Sequence, residues 1–450
     1  MTRPLIRAFL FSVLFSVGCT TGDQVGGEGG SGEGGHTTTG QGGATTGGTG
    51  GATGNGTGGS TTGTGGAIVT GGGGTTVTGT GGATTGAGGR TGAGGATTGV
   101  GGAMTGTGGT VPPPPTNMFW ISPTGLDTNP GTREAPLFTL CDDTAKTGAC
   151  YKLCPNSAGC LQGGATIWVM AGTYRYGAVT QKIGSTKLCT AANPCNVFAE
   201  AGAKPVFDFT NQPIADTSRG IQIQGDYWHL KGITVTKAGD SGIFVMGNNN
   251  TVEQCVAHHN QDVGIIVGVN SSRAGSGINN LFLNCDSYQN FDTATSGENA
   301  DGYGAKENTG AGNIFRGCRS WDNADDGWDF YGWASPITVD NCWAINQTAT
   351  VNGSNSDGNG FKLGGNNVNA RHVLSNLFAV GNGTNGSSGR GFTNNSNPAA
   401  LTCTGTCGSY SNKAADTGVG GVTVRTGPTG TQMINAARLA NGDLPSINSL

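Results

Sequence analysis

A run of the form apolar-x-x-Cys recurs through the second half of the chain: Val252-x-x-Cys255, Phe282-x-x-Cys285, Phe315-x-x-Cys318 and Val339-x-x-Cys342, with Leu374-x-x-Leu377 as a further copy. Five residues beyond the second member stand Asn260, Asn290, Asn323, Gln347 and Asn382. A second run follows each copy: Gly264-Ile265-Ile266, Gly302-Tyr303-Gly304, Gly327-Trp328-Asp329, Gly360-Phe361-Lys362 and Gly391-Phe392-Thr393, with Gly242-Ile243-Phe244 preceding the first. Strands this short cannot bury a core alone, so the copies must stack coil on coil. The first interval, Gly242 to Gly264, is 22 residues, which suits three short strands and three turns. No helical stretch separates the strands, and a propeller would need longer four-strand blades. The expected fold is all-β, a right-handed parallel β-helix (solenoid).

Stacking turns the repeat into columns. Cys255, Cys285, Cys318 and Cys342 share one register and are expected as core rather than as ligands or nucleophiles. The asparagines are expected to stack at a bend, satisfying backbone groups that the strands leave open. His258 and His259 follow Cys255 without recurring partners. Tyr303 and Trp328 share a column that is expected to pack inward.

Aligned on their glycines, the second runs place Ser241, Val263, Asp301, Asp326, Asn359 and Arg390 before the glycine, and Phe244, Ile266, Gly304, Asp329, Lys362 and Thr393 two after it. Adjacent coils lie roughly 4.8 Å apart. Asp301 is therefore expected beside Asp326, and Asp329 beside Lys362, with Asp325 able to turn into the same pocket. Four carboxylates converging this way repel one another unless a cation is present, and hard oxygen donors in a flexible setting suit Ca2+ better than magnesium. The competing reading is a polar outer face where aspartates terminate turns. Lys362 is a candidate base; an amine is normally protonated, with a reference pKa near 10.4, and a nearby cation and partial burial favour its neutral form. Otherwise it is a surface lysine paired with Asp329. Lys306 falls outside the column and reads as a substrate or structural charge. Arg390 is a candidate for holding a substrate carboxylate, against a solvated turn charge.

The segments Asp301–Lys306, Cys318–Asp329 and Asn359–Gly365 resemble polysaccharide lyase family 9, best known for pectate lyases. The likeness covers most of residues 118–395. It implies calcium ligands at Asp301, Asp325, Asp326 and Asp329, and Lys362 as the base. It further implies a 4-linked polyuronate substrate such as polygalacturonate. The metal withdraws electron density from the C6 carboxylate, the lysine takes the C5 proton, and the C4 oxygen leaves to give a 4,5-unsaturated product, with a rate that rises into the alkaline range. Gly304 and the cysteine-bearing N-terminal part depart from the family pattern and leave subsite preference open. The alternative is a non-catalytic carbohydrate-binding or adhesive β-helix surface protein. A hydrolase would need histidine- and arginine-bearing motifs near the acidic pair, which this sequence lacks.

The rest of the chain frames that domain. Residues 1–19 read as an export signal of the lipoprotein type, with basic Arg3 and Arg7, an apolar run from Ala8 to Val17, and Gly18-Cys19, where Cys19 is expected to carry a lipid anchor. Residues 20–110 form a Gly/Thr-rich linker too poor in apolar surface to fold. The β-helix domain is expected over 111–430 and a C-terminal capping segment over 431–450, with Thr431 to Ala440 as a short helix covering the end. Close cysteine pairs, Cys141/Cys150, Cys154/Cys160, Cys189/Cys195 and Cys403/Cys407, suggest local disulfides in an exported protein. The net charge of -4 and the lack of a basic stripe exclude a nucleic-acid partner. The expected partner is an acidic polysaccharide, met by a monomer that is secreted or tethered at a bacterial cell surface or outer membrane.

Overall fold

The computed structural model describes residues 117–153, 164–184, 189–306, 308, 310–351 and 356–450. The export signal, Cys19, the Gly/Thr-rich linker and the Cys154/Cys160 pair lie outside them. The described residues form a right-handed β-helix with three parallel sheets of 11, 8 and 10 strands. Neighbours in a sheet come from successive coils, and each of the eight complete coils contributes one strand of two to five residues to each sheet.

The repeat sets the register. Val252 pairs with Phe282, Phe282 with Phe315, Phe315 with Val339 and Val339 with Leu374, a continuous inward column of the first sheet. The turn into the third sheet passes through one left-handed residue per coil: Gln254 (φ 51°), Asn284 (φ 56°), Gly317 (φ 65°), Asn341 (φ 51°) and Asn376 (φ 55°). Asn and Gly tolerate that region best, which is why the second x of the motif is so often one of them. The cysteine follows as a fully buried free thiol. Cys285 Sγ donates to Val252 O of the preceding coil at 3.3 Å, and Cys318 Sγ to Phe282 O at 3.4 Å. The thiols are core ladder groups, as the repeat predicts.

At the next corner the amides stack. Asn260 Nδ2 donates to Asn290 Oδ1 at 3.0 Å, Asn290 to Asn323 at 2.8 Å, and Asn323 to Gln347 Oε1 at 3.1 Å. Each acceptor oxygen also takes the backbone N–H of the amide residue before it, at 2.9–3.2 Å. A buried donor left unpaired there would cost about 1–3 kcal/mol, so the ladder fixes the bend as well as tolerating it. A second ladder, Asn250–Asn280–Asn313, does the same at another corner, with both side-chain bonds at 3.1 Å. The core between is aromatic: Tyr303, Trp328, Phe361 and Phe392 stack in register with ring centroids 4.7, 4.7 and 4.9 Å apart.

Three of the expected cysteine pairs form disulfides, Cys141–Cys150, Cys189–Cys195 and Cys403–Cys407. The first holds the helix Ala149–Leu153 beside the first coil, where Leu137 and Leu140 are fully buried. The C-terminal helix forms at Gly430–Asn435, capped by Thr429, but it lies along the flank of the third sheet. The expectation that this segment covers the end of the solenoid is therefore corrected. The outward side chains Trp343, Ile345, Phe378 and Val380 are apolar and need a cover, and Met433, Leu444 and Ile447 supply it. Arg319 donates to Met433 O, Ile434 O and Ala436 O at 3.2, 3.1 and 2.9 Å, satisfying carbonyls that the helix end leaves open.

Candidate active site

The outward column of the second sheet carries the site. Gly304 pairs with Asp329, Asp329 with Lys362 and Lys362 with Thr393. In the column before the glycines, Gly302 N donates to Asp326 O and Gly327 N to Asn359 O, which seats Asp301, Asp326 and Asn359 on successive coils. All four predicted aspartates are buried. The turns orient them through main-chain donors: Asp326 N to Asp301 Oδ1 at 2.9 Å, Asp357 N to Asp325 Oδ1 at 2.7 Å, Asn359 N to Asp326 Oδ1 at 2.6 Å and Tyr331 N to Asp329 Oδ1 at 2.9 Å.

Asp301, Asp325 and Asp326 each offer an oxygen, and these lie within 4.8 Å of one another. Such a group can hold one metal ion. Asp301 Oδ2 and Asp326 Oδ2 are buried and accept no hydrogen bond of good geometry, although lysine ammonium groups lie nearby. Buried, hard and underused oxygens of this kind fit a cation such as calcium. Asp329 stands apart from that trio, with Oδ2 3.2 Å from Lys306 Nζ and 3.5 Å from Lys362 Nζ.

The charges are tightly opposed. Burial pushes the Asp301 carboxyl up to about 8; Lys306 opposes the shift, while Asp329 and Asp325 add to it. Burial and Asp325 raise Asp326 well above the carboxylate range. Burial would also raise Asp329, but Lys362 and Lys306 hold it below its ordinary value. Burial alone would lower Lys362, yet Asp326, Asp329, Asp325 and Asp301 overcome it and raise the ammonium's pKa. Without a further cation the nest therefore favours protonated lysines and opposes full ionisation of its carboxyls.

Three neighbours were not in the primary site read from the sequence. Lys306 Nζ sits 2.6 Å from Asp301 Oδ2. It follows Gly302 and Gly304 at two-residue spacing, so strand alternation along that run carried the signal. Asp357 Oδ2 lies 3.6 Å from Lys362 Nζ. Tyr331 has its ring centroid 5.9 Å from the same nitrogen. Arg390 occupies its expected column: its N–H donates to Asn359 Oδ1 at 3.0 Å. Its guanidinium bonds Ser388 Oγ and is not joined to the acidic group. Tyr303 and Trp328 are fully buried, so neither offers a ring face to a sugar. His258 stacks on Tyr288 and adjoins His259, apart from the acidic residues.

Comparison with known proteins agrees with this architecture. Pectate lyase L of Paenibacillus polymyxa is 39% identical over 253 residues, 54% of this chain and 55% of that protein. Pectate lyase L of Dickeya chrysanthemi is 36% identical over 53% of this chain and 56% of its own length. The chain thus spans about half the length of these curated relatives. Among solved structures, pectate lyase Pel9A superposes with a TM-score of 0.58 at 28% identity, over 73% of this chain and 87% of that one. Residues 119–422 match the family described as Pel9A-like, right handed beta helix region, and the chain belongs to that family.

Proposed function

We propose that the protein is a calcium-dependent polysaccharide lyase that cleaves polygalacturonate or a related 4-linked polyuronate by β-elimination. The observation that carries this reading is the meeting of Asp301, Asp325 and Asp326 within one ion's reach, beside a lysine two residues past the glycine of the neighbouring coil. The names of the relatives, pectate lyases from several organisms, support the same chemistry.

Asp301, Asp325 and Asp326 would hold the ion, and Asp329, which stands apart from them beside Lys306 and Lys362, would join them only by turning from those lysines. Calcium, when bound, would draw electron density from a uronate carboxylate and acidify the adjacent C5–H. A cation held by these carboxylates would offset the field that raises the Lys362 ammonium's pKa, and Lys362 Nζ is the group placed to accept the C5 proton. The electron pair of the C–H bond forms the C4–C5 double bond, and the C4 oxygen departs with its bonding pair and takes a proton from solvent to become a hydroxyl. Asp357, within reach of the same nitrogen, orients the amine. Arg390, one coil beyond Asn359, would hold a substrate carboxylate once its bond to Ser388 is exchanged. The reading places the domain outside a bacterial cell as a monomer, with Cys19 as a lipid tether, supported by the Gly18-Cys19 signal pattern and the local disulfides.

Incubation of the purified protein with polygalacturonate and calcium tests the reading. Ultraviolet absorbance of an unsaturated uronide is expected. Binding of several polyuronates without that product would instead favour a non-catalytic carbohydrate-binding module, and saturated reducing ends alone would point to hydrolysis.

A further inference from the structure

We propose that Arg219 forms a distal subsite that grips a uronate carboxylate about four coils from the acidic centre, on the same face of the solenoid. The proposal rests on the polyuronate reading above.

Main-chain bonds trace the column without a break. Gly220 N donates to Ser241 O at 3.1 Å, Gly242 N to Val263 O at 3.0 Å, Gly264 N to Asp301 O at 3.0 Å and Gly302 N to Asp326 O at 2.9 Å. Arg219, Ser241, Val263, Asp301 and Asp326 therefore occupy one column, and four coils at ~4.8 Å set Arg219 ~19 Å from Asp326. The adjacent column runs Gln222, Phe244, Ile266, Gly304, Asp329 in register. A cleft of about 300 Å³, lined by Lys306, Val263, Ile266 and Asp240, runs along these coils, and one of about 560 Å³, lined by Arg219, Gln222 and Lys182, lies further on.

Arg219 is braced for a ligand. Its Nε lies 3.1 Å from Asp240 Oδ2, and its guanidinium carbon is 4.1 Å from the centre of the Phe244 ring. No hydrogen bond of its two terminal nitrogens occurs among the described residues. Arg319 and Arg438 differ: their forks are spent on Asp286 and on main-chain carbonyls. A planar guanidinium with a free edge matches a carboxylate in two-point contact. The rise per coil is close to the length of one 4-linked pyranose, so a chain lying along the sheet sets roughly one sugar per coil. Asp292 lines the cleft between and repels carboxylates there. Arg219 is the next cation along that wall after Lys306, and it selects long, unesterified chains.

The test compares trimeric and octameric oligogalacturonates by isothermal titration calorimetry, with calcium, in a Lys362→Ala background so that the ligands persist. The octamer is expected to bind more tightly than the trimer. Arg219→Gln should weaken octamer binding about tenfold, the scale of one charge-assisted fork, and leave the trimer unchanged. Arg219→Lys should restore part of the loss. The double variant Arg219→Gln/Asp240→Asn removes the stranded carboxylate and should show the same loss, which separates ligand binding from damage to the fold. Unchanged octamer affinity in the folded variants, or equal loss for both lengths, overturns the subsite. Lyase activity of the unaltered protein on the same oligomers is read separately, so a protein that binds by length but does not cleave would sink the lyase reading and leave the subsite standing.

Discussion

Asp329 and Lys362 face each other across adjacent coils, with Oδ2 3.5 Å from Nζ in a strand pair that fixes their register. The contact joins the carboxylate group to the candidate base through backbone geometry rather than through a flexible loop. It also separates two roles that substitution can tell apart.

Lys362→Ala should abolish turnover while calcium binds as well as or better than before, because an ammonium 3.1 Å from Asp326 Oδ2 has been removed. Asp326→Ala should weaken calcium binding, and excess calcium should restore part of the rate. Calorimetric titration beside the absorbance assay reads both. Near-normal turnover in Lys362→Ala would demand another base, with Lys306 the next to test.

Lys306 acts as a built-in counter-ion in the absence of metal, 2.6 Å from Asp301 Oδ2 and 3.2 Å from Asp329 Oδ2. Removing one partner of a buried pair typically costs about 3–5 kcal/mol. Lys306→Met should therefore lower the melting temperature in chelator. Calcium should narrow the gap by supplying the missing positive charge. An equal deficit with and without calcium would contradict this role.

The amide ladder makes a separate stability prediction. Asn290 Oδ1 accepts Asn260 N, and its Nδ2 donates to Asn323 Oδ1. Asn290→Leu strands two donors, Asn260 N and Asn260 Nδ2, at about 1–3 kcal/mol for each, while Asn323 Oδ1 keeps the backbone N–H of residue 290. Denaturant titration should show the loss, with calcium affinity little changed. A neutral outcome would mean that neighbouring groups reseal the corner.

What the sequence revealed follows from what repeats. The Cys and Asn columns and the Asp329–Lys362 neighbourhood were legible because identical coils put identical spacings in register. Arg219 escaped notice because its coil writes the motif in other letters: Val197, the register partner of Leu230, has Glu200 rather than a cysteine three residues on. The tail was illegible for another reason. Arg438 meets Asp286 across 152 residues, and nothing periodic links the two. Outward Trp343 and Ile345 looked like any strand residues until the tail covered them.

That tail supplies an acid-sensitive contact. Burial would raise the Asp286 carboxyl, but Arg438 and Arg319 overcome it and hold the group below its ordinary value. A carboxyl depressed on folding stabilises the protein above its unfolded pKa, near 3.9, and that contribution fades as pH falls through the lower folded value. Hydrogen exchange should show residues 430–450 loosening below about pH 4. Asp286→Asn should loosen them at neutral pH as well and flatten the acid dependence. Full protection of the tail in that variant would show that the apolar cover alone holds it.

Chelation should stop catalysis and spare the fold. The thiol and amide ladders and the aromatic stack hold the coils together through groups that touch no metal. The carboxylates at the site face one another but already find Lys306 and Lys362 as counter-charges. Circular dichroism should therefore stay unchanged in chelator while product formation falls to background, and added calcium should restore the rate. Full activity after rigorous calcium removal would sink the metal-assisted mechanism. Loss of the β-sheet signal would instead show that the ion also holds the coils around Asp301 and Asp326 in register.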